Sequence, residues 1–389
     1  MAEDILDKAT RIWRVAMVLE DVKEYEKAEE LSREATEAYK KVFRETNSKS
    51  CIPTQKYQTP VLWAVEVGSI AALEVMFTRY RIDQNVKDKN RWTPLLCAVD
   101  NGHETIVKLL LDTGKIDLDA SSSNGWTPLL CAAESGYEAI AKLLLDTGRV
   151  DFEASSHSGW TPLLCAADNG HEAIVKLLLD TGKVRVDPKN NELWTPLLCA
   201  AYNGHEGIVK LLLETGRVNL ESSSKSGWTP LLCAADNGYE AIVKLLLGTG
   251  KVNVDSKNMH GSTPLSCAAQ NGYKAIVKLL LDTGKVDVDS KNSRGMTPLL
   301  GAALHGNKAT VKLLLDTGKD DANWKNNYGE TPLWLAAKKG HKAVVKLLLD
   351  TGKVNVDVKN GRGEPLLSMV AKEGRRMILE LLELHIRHS

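Results

Sequence analysis

Neither sign of charge is in excess. Lys and Arg together number 50, Asp and Glu number 50, and the formal net charge is zero. That balance argues against a general nucleic-acid binder, which carries a basic excess or stripe. No apolar run approaches the roughly 20 residues of a membrane span. The start, MAEDILDKATRIWR, is acidic and lacks the apolar core of a secretory signal. Cytosol or nucleus is the expected compartment. No CxxC pair suggests zinc. A phosphate loop, HExxH and GxSxG are all missing. Neither a cofactor nor a metal is expected.

What the chain does have is a period. Thr-Pro begins at Thr59, Thr93, Thr127, Thr161, Thr195, Thr229, Thr263, Thr297 and Thr331, each 34 residues after the last. Glu364-Pro365 follows 33 residues on, and these steps use ten of the twelve prolines. A fixed period of this size means stacked repeats, each too small to fold alone. Function must then be sought on a long surface.

Cysteine follows the same period. Cys97, Cys131, Cys165, Cys199, Cys233 and Cys267 share one repeat position. Equivalent atoms of stacked helices lie about 8–10 Å apart, whereas a disulfide needs Cα atoms at about 4.4–6.8 Å. The ladder is expected to be reduced and buried. Cys51 falls in a linker and is expected to be a free thiol.

One unit shows how the others build themselves. Thr161 caps a helix and Pro162 suits its first position, where a missing N–H costs nothing. Leu163 to Ala167 form a short apolar helix, and Asp168-Asn169-Gly170 ends it. A second helix runs from Glu172 to Asp180. Ile174, Val175, Leu177, Leu178 and Leu179 make most of its faces apolar, and Lys176 marks the solvent side. Gly182 closes it, and Lys183 to Leu193 read as an extended turn. The LLL runs read as core, so Leu177→Ala is expected to open a cavity.

This pattern resembles the ankyrin repeat. Thr-Pro-Leu, Ala-Ala, Gly-His and Val-Lys-Leu-Leu-Leu match from roughly Tyr57 to the C-terminus. The resemblance implies an all-α solenoid of about ten helix-turn-helix units. Two departures stand out. The family usually places histidine after Thr-Pro-Leu, where this chain mostly has leucine, as at Leu96 and Leu164. The period is one residue longer than the family's, with the extra residue in the turn after the second helix. The near-identical copies look like fungal ankyrin arrays attached to innate-immunity-type receptors.

The ends differ as caps should. Residues 1–43 read as a helical hairpin cap, 44–56 as a linker and 57–389 as the array. EYEKAEELSREATEAYKK, within the cap, resembles the second helix of a tetratricopeptide repeat. The last unit loses its threonine, and Arg375 and Arg376 interrupt its helix junction.

His103, His171, His205 and His341 belong to the Gly-His element and read as structural, with Tyr137, Tyr239 and Tyr273 in their place elsewhere. The informative ladder precedes Thr-Pro: Trp92, Trp126, Trp160, Trp194 and Trp228. In ankyrin proteins this place, with the two residues before Gly-His, lies on the concave binding face. Carried over, that stripe is Asp100-Asn101, Glu134-Ser135, Asp168-Asn169, Tyr202-Asn203 and Asp236-Asn237. Indoles beside carboxylates suit a basic protein or peptide partner. The rule then breaks. Ser262, Met296 and Glu330 replace Trp. Gln270-Asn271, Leu304-His305 and Lys338-Lys339 replace the acidic pairs, and Gly301 replaces the cysteine. Met259, His260, Arg294, Trp324 and Tyr328 are unusual in their turns, and such departures are expected at functional or strained places.

The expected ligand-binding residues are Trp92, Trp126, Trp160, Trp194, Trp228, Asp168, Tyr202, Asp236, Met296, Leu304 and His305. The expected function is a scaffold for a protein or peptide partner, with a small molecule as the other ligand. The alternative is a cofactor-independent cyclase or isomerase, with Asp236, His260 and His305 as acid-base candidates.

Overall fold

Thr-Pro starts a helix at each step described. The computed structural model describes residue 34 and residues 60–66, 68–78 and 83–388. The expected N-terminal hairpin, its linker and Cys51 lie outside these residues, Glu34 apart. Two compact units part between Cys165 and Ala166, inside the helix Pro162–Asn169.

In the first unit, Pro60–Glu66, Pro94–Asp100 and Pro128–Ser135 are leading helices, each with a trailing helix: Ile70–Thr78, Glu104–Asp112 and Glu138–Asp146. The second unit continues the alternation. Its leading helices are Pro196–Asn203, Pro230–Asn237, Pro264–Asn271, Pro298–Leu304, Pro332–Lys339 and Leu366–Lys372. Its trailing helices are Glu172–Asp180, Glu206–Glu214, Glu240–Gly248, Lys274–Asp282, Lys308–Asp316, Lys342–Asp350 and Arg376–His388. Among the described residues the only strand-like pairing is an isolated bridge between Lys359 and Pro365.

Capping follows from sequence. Thr195 Oγ1 accepts the Leu198 N–H at 3.3 Å, and Thr229 Oγ1 accepts that of Leu232 at 3.4 Å. Gly204 ends its helix at φ 84°. A Cβ there would stand 2.6 Å from the Tyr239 ring, so this position needs glycine for space as well as for φ. The Gly-His histidines are bonded between repeats. His205 Nε2 lies 2.9 Å from the Asp168 carbonyl and His341 Nε2 3.0 Å from that of Leu304. Arg375 takes over this place in the last repeat, its guanidinium packed on Gly340.

The core is Leu-Leu-Cys-Ala-Ala of the leading helices with Ile-Val and one leucine of the trailing helices. In the LLL run of Glu172–Asp180 only the middle residue is buried: Leu178 is covered, while Leu177 and Leu179 are half-buried, and the other runs follow suit except that Leu349 is buried beside Leu348. This corrects the reading of the whole run as core. Helical geometry turns i and i+2 away from the buried stripe that contains i+1.

All six ladder cysteines are buried and unbridged. Burial pushes the Cys199, Cys233 and Cys267 thiols well above their usual range, and the charges of Asp168 and Asp236 add to this at Cys199 and Cys267. A thiolate-dependent reagent should therefore spare these six thiols in the native protein and reach them after denaturation. Rapid native labelling of more than one thiol per chain would contradict this burial.

Candidate binding face

The turn before each ladder tryptophan is closed by the residue four places earlier. That residue's N–H donates to the Trp carbonyl, and its side-chain oxygen accepts the Trp N–H. In the first unit Asp88, Ser122 and Ser156 serve Trp92, Trp126 and Trp160, with side-chain distances of 2.7, 3.2 and 3.2 Å. In the second unit Asn190 and Ser224 serve Trp194 and Trp228 at 2.9 and 3.3 Å. Asn258, Asn292 and Asn326 hold the turns that lack Trp in the same way. These small polar residues form the brace of the turn.

Successive tips are tied by backbone. His157 N–H donates to the Asn124 carbonyl at 3.0 Å in the first unit. In the second, Met259 donates to Ser226 at 3.0 Å, Ser293 to His260 at 2.8 Å and Asn327 to Arg294 at 3.1 Å. A second tie crosses the inserted turn. Glu221 Oε1 accepts the Asn253 N–H at 2.8 Å, and the Asp255 carboxylate accepts that of Asp287. A side-chain oxygen and a backbone N–H 32 residues apart thereby stitch neighbouring repeats.

All five ladder tryptophans are half-buried. The column before Thr meets the column eight residues on, at the end of the leading helix. Trp194 and Tyr202 stack edge to face with ring centres 5.2 Å apart, and Tyr202 is 49% exposed. In the ninth repeat the same two places form an ion pair, Lys338 to Glu330 at 2.9 Å. Met296 and Leu304 occupy these places in the eighth repeat, both half-buried. His305 beside them is exposed, with Nδ1 3.0 Å from the Gly301 carbonyl of its own helix.

The carboxylates are more engaged than the sequence reading allows. Asn203 Nδ2 donates to the Asp168 carbonyl at 2.9 Å and to its Oδ1 at 2.8 Å. Asn271 does the same to Asp236, at 2.9 and 3.2 Å. The carboxylates of Asp168 and Asp236 also act on the Cys199 and Cys267 thiols, which they hold in the protonated form. Both aspartates thus join one repeat to the next as well as charging the face.

Asp236, His260 and His305 lie in three successive repeats. Asp236 is half-buried at a helix end, whereas His260 is exposed at a turn tip. No hydrogen bond joins these three residues. Among the described residues, no three His, Cys, Asp or Glu are grouped to hold a metal ion. No helix there is long and apolar enough to cross a membrane.

A shallow groove of about 630 Å³ lies between the trailing helices Glu206–Glu214 and Glu240–Gly248. Its apolar floor is Leu213, Ala241 and Leu245, and its rim carries Glu206, Lys210, Glu214 and Lys244. The sequence reading missed it. The signal was Gly248, which stands where other repeats have Asp112, Asp146, Asp180, Glu214, Asp282, Asp316 and Asp350.

The family model described as ankyrin repeats (3 copies) matches residues 61–155, 148–222, 216–292 and 284–360. No curated protein matches the chain.

Proposed function

Because this chain belongs to the ankyrin repeat family, whose repeats generally mediate protein–protein interaction, we propose that it is a binding scaffold for a protein or peptide partner in the cytosol or nucleus. Recognition falls on the tryptophan column and the helix ends beside it. The first unit contributes Trp92, Trp126 and Trp160. The second contributes Trp194, Trp228, Asp168, Tyr202 and Asp236, with Met296, Leu304 and His305 further along.

What carries the reading is the state of the five indoles. Each is held by a braced turn, yet none is fully buried. A half-covered Trp offers a large apolar face and one N–H donor without the entropy cost of a flexible side chain. The aspartates make the surroundings negative, which favours a partner segment carrying Lys or Arg.

A random peptide library selected on the intact chain tests this. Peptides recovered on the wild type should lose about thirtyfold or more in affinity on Trp160→Ala/Trp194→Ala, since a Trp anchor carries about 2 kcal/mol or more. Helical content should stay the same. Lys176→Ala/Lys210→Ala, on exposed trailing-helix positions, should bind as the wild type does. A damaging Lys pair with a silent Trp pair would put the binding face on the wrong side.

A further inference from the structure

The seventh repeat lacks its rung. Ser262 stands in the tryptophan column between Trp228 and Met296. A second loss lies beneath it, because Ser266 replaces the leucine that follows Thr-Pro-Leu. In repeats two to six, eight and nine this column is closed: Leu96, Leu130, Leu164, Leu198, Leu232 and Leu300 are fully covered, and Trp334 is 1% exposed; only at the end of the array does it open again, at the half-buried Leu367. Ser266 is partly exposed. Small side chains at both places leave the surface partly open at a layer that the repeats on either side keep covered.

The opening has a frame. Repeats six to eight are held tip to tip by the backbone bonds from Met259 to Ser226 and from Ser293 to His260. Met296 leans toward the next tip, with Asn326 Nδ2 3.5 Å from its Sδ. In the same register, the space beside Ser262 lies toward Asn292.

Its polar groups are of two kinds. Ser266 Oγ is committed, donating to the Thr263 carbonyl and accepting the Thr263 N–H, both at 2.8 Å. The Ser262 hydroxyl and the Gln270 side-chain amide hydrogen-bond to no described residue. They offer donors and acceptors beside the place where the neighbouring sixth repeat carries an indole.

We propose that this notch receives one aromatic side chain of the partner, a Trp or Tyr, seated where the neighbouring repeats carry their own indole. Its ring lies between Trp228 and the Met296 thioether, a favourable neighbour for an aromatic edge. Its N–H or O–H meets Ser262 Oγ or the Gln270 amide. The proposal rests on the reading of the tryptophan column as the binding face.

Two experiments on the full chain test it. The first titrates indole against protein labelled with ¹³C at the methionine methyls, with Met296 assigned through Met296→Leu. The Met296 methyl should shift and saturate, while Met377, exposed on the last helix, stays still. Ser262→Trp puts back the residue common in this column, so it preserves the fold, and it should abolish the Met296 response. A Met296 signal that never moves, or moves alike in Ser262→Trp, overturns the notch.

The second experiment compares peptides selected from a random library on the wild type and on Ser262→Trp. A Trp or Tyr should be enriched at one position on the wild type and lose that enrichment on the variant. Peptides that weaken on Trp160→Ala/Trp194→Ala but share no aromatic residue would keep the binding face and overturn the notch. An aromatic preference removed by Ser262→Trp but untouched by the Trp pair would keep the notch and overturn the wider face.

Discussion

Leu178→Ala should destabilise the protein by about 2–5 kcal/mol. Leu178 is the fully covered leucine of the trailing helix Glu172–Asp180, where Ile174 and Val175 complete the buried stripe. Removing its branched end leaves a cavity that closely packed helices close only in part. Leu177→Ala should cost less, because Leu177 is half-buried. The loss should also be local, since a repeat touches only its neighbours. Amide exchange should quicken in Glu172–Asp180 and Glu206–Glu214 before it does in Lys308–Asp316. An equal effect on every amide of the second unit would argue for one cooperative block instead.

Asp320→Val should stabilise the protein by on the order of 3 kcal/mol at pH 8, allowing for partial exposure of the carboxyl. Position 320 is a Val or Ile column, filled by Ile116, Val150, Val184, Val218, Val252, Val286 and Val354 elsewhere. Burial raises the Asp320 pKa to about 7; the Thr317 hydrogen bond opposes this and the charge of Asp289 adds to it. Its Oδ1 is buried without a hydrogen-bond partner. In the unfolded chain the group titrates near its ordinary value of 3.8. Between these two values the folded state holds the proton and the unfolded state does not. Linkage then makes stability fall as pH climbs from about 4 to about 7, with no further loss from this group above that. Urea unfolding at several pH values should show this slope in the wild type and a reduced slope in Asp320→Val. An unchanged slope would mean that the carboxyl is solvated in the native protein.

Both cases indicate what could be read from sequence. Thr, Pro and Gly at fixed offsets gave the helix ends, because caps are local chemistry. Cysteine burial and the structural histidines followed from period alone. Bonds between copies were not legible. Nothing within one unit says that Asn203 will reach back to Asp168, or that Ser224 will close the turn before Trp228. Such pairs are distant in sequence or hidden among common small polar residues. Departures within a column were legible and still partly missed. Gly301 and Met296 stand out by residue type, but Ser266, Gly248 and Asp320 show only when every copy is aligned position by position.

The stitch across the inserted turn has an evolutionary corollary. Glu221 binds Asn253, and Asp255 binds Asp287, through one kind of acceptor and one backbone N–H. Excising one 34-residue period between those places would leave Glu221 facing Asp287, an acceptor again opposite a donor. Unequal recombination between near-identical copies therefore keeps this stitch at the joint. The number of repeats can drift by whole units at little cost in folding, lengthening or shortening the recognition surface. Point changes such as Trp to Ser at position 262 can then vary what each rung accepts.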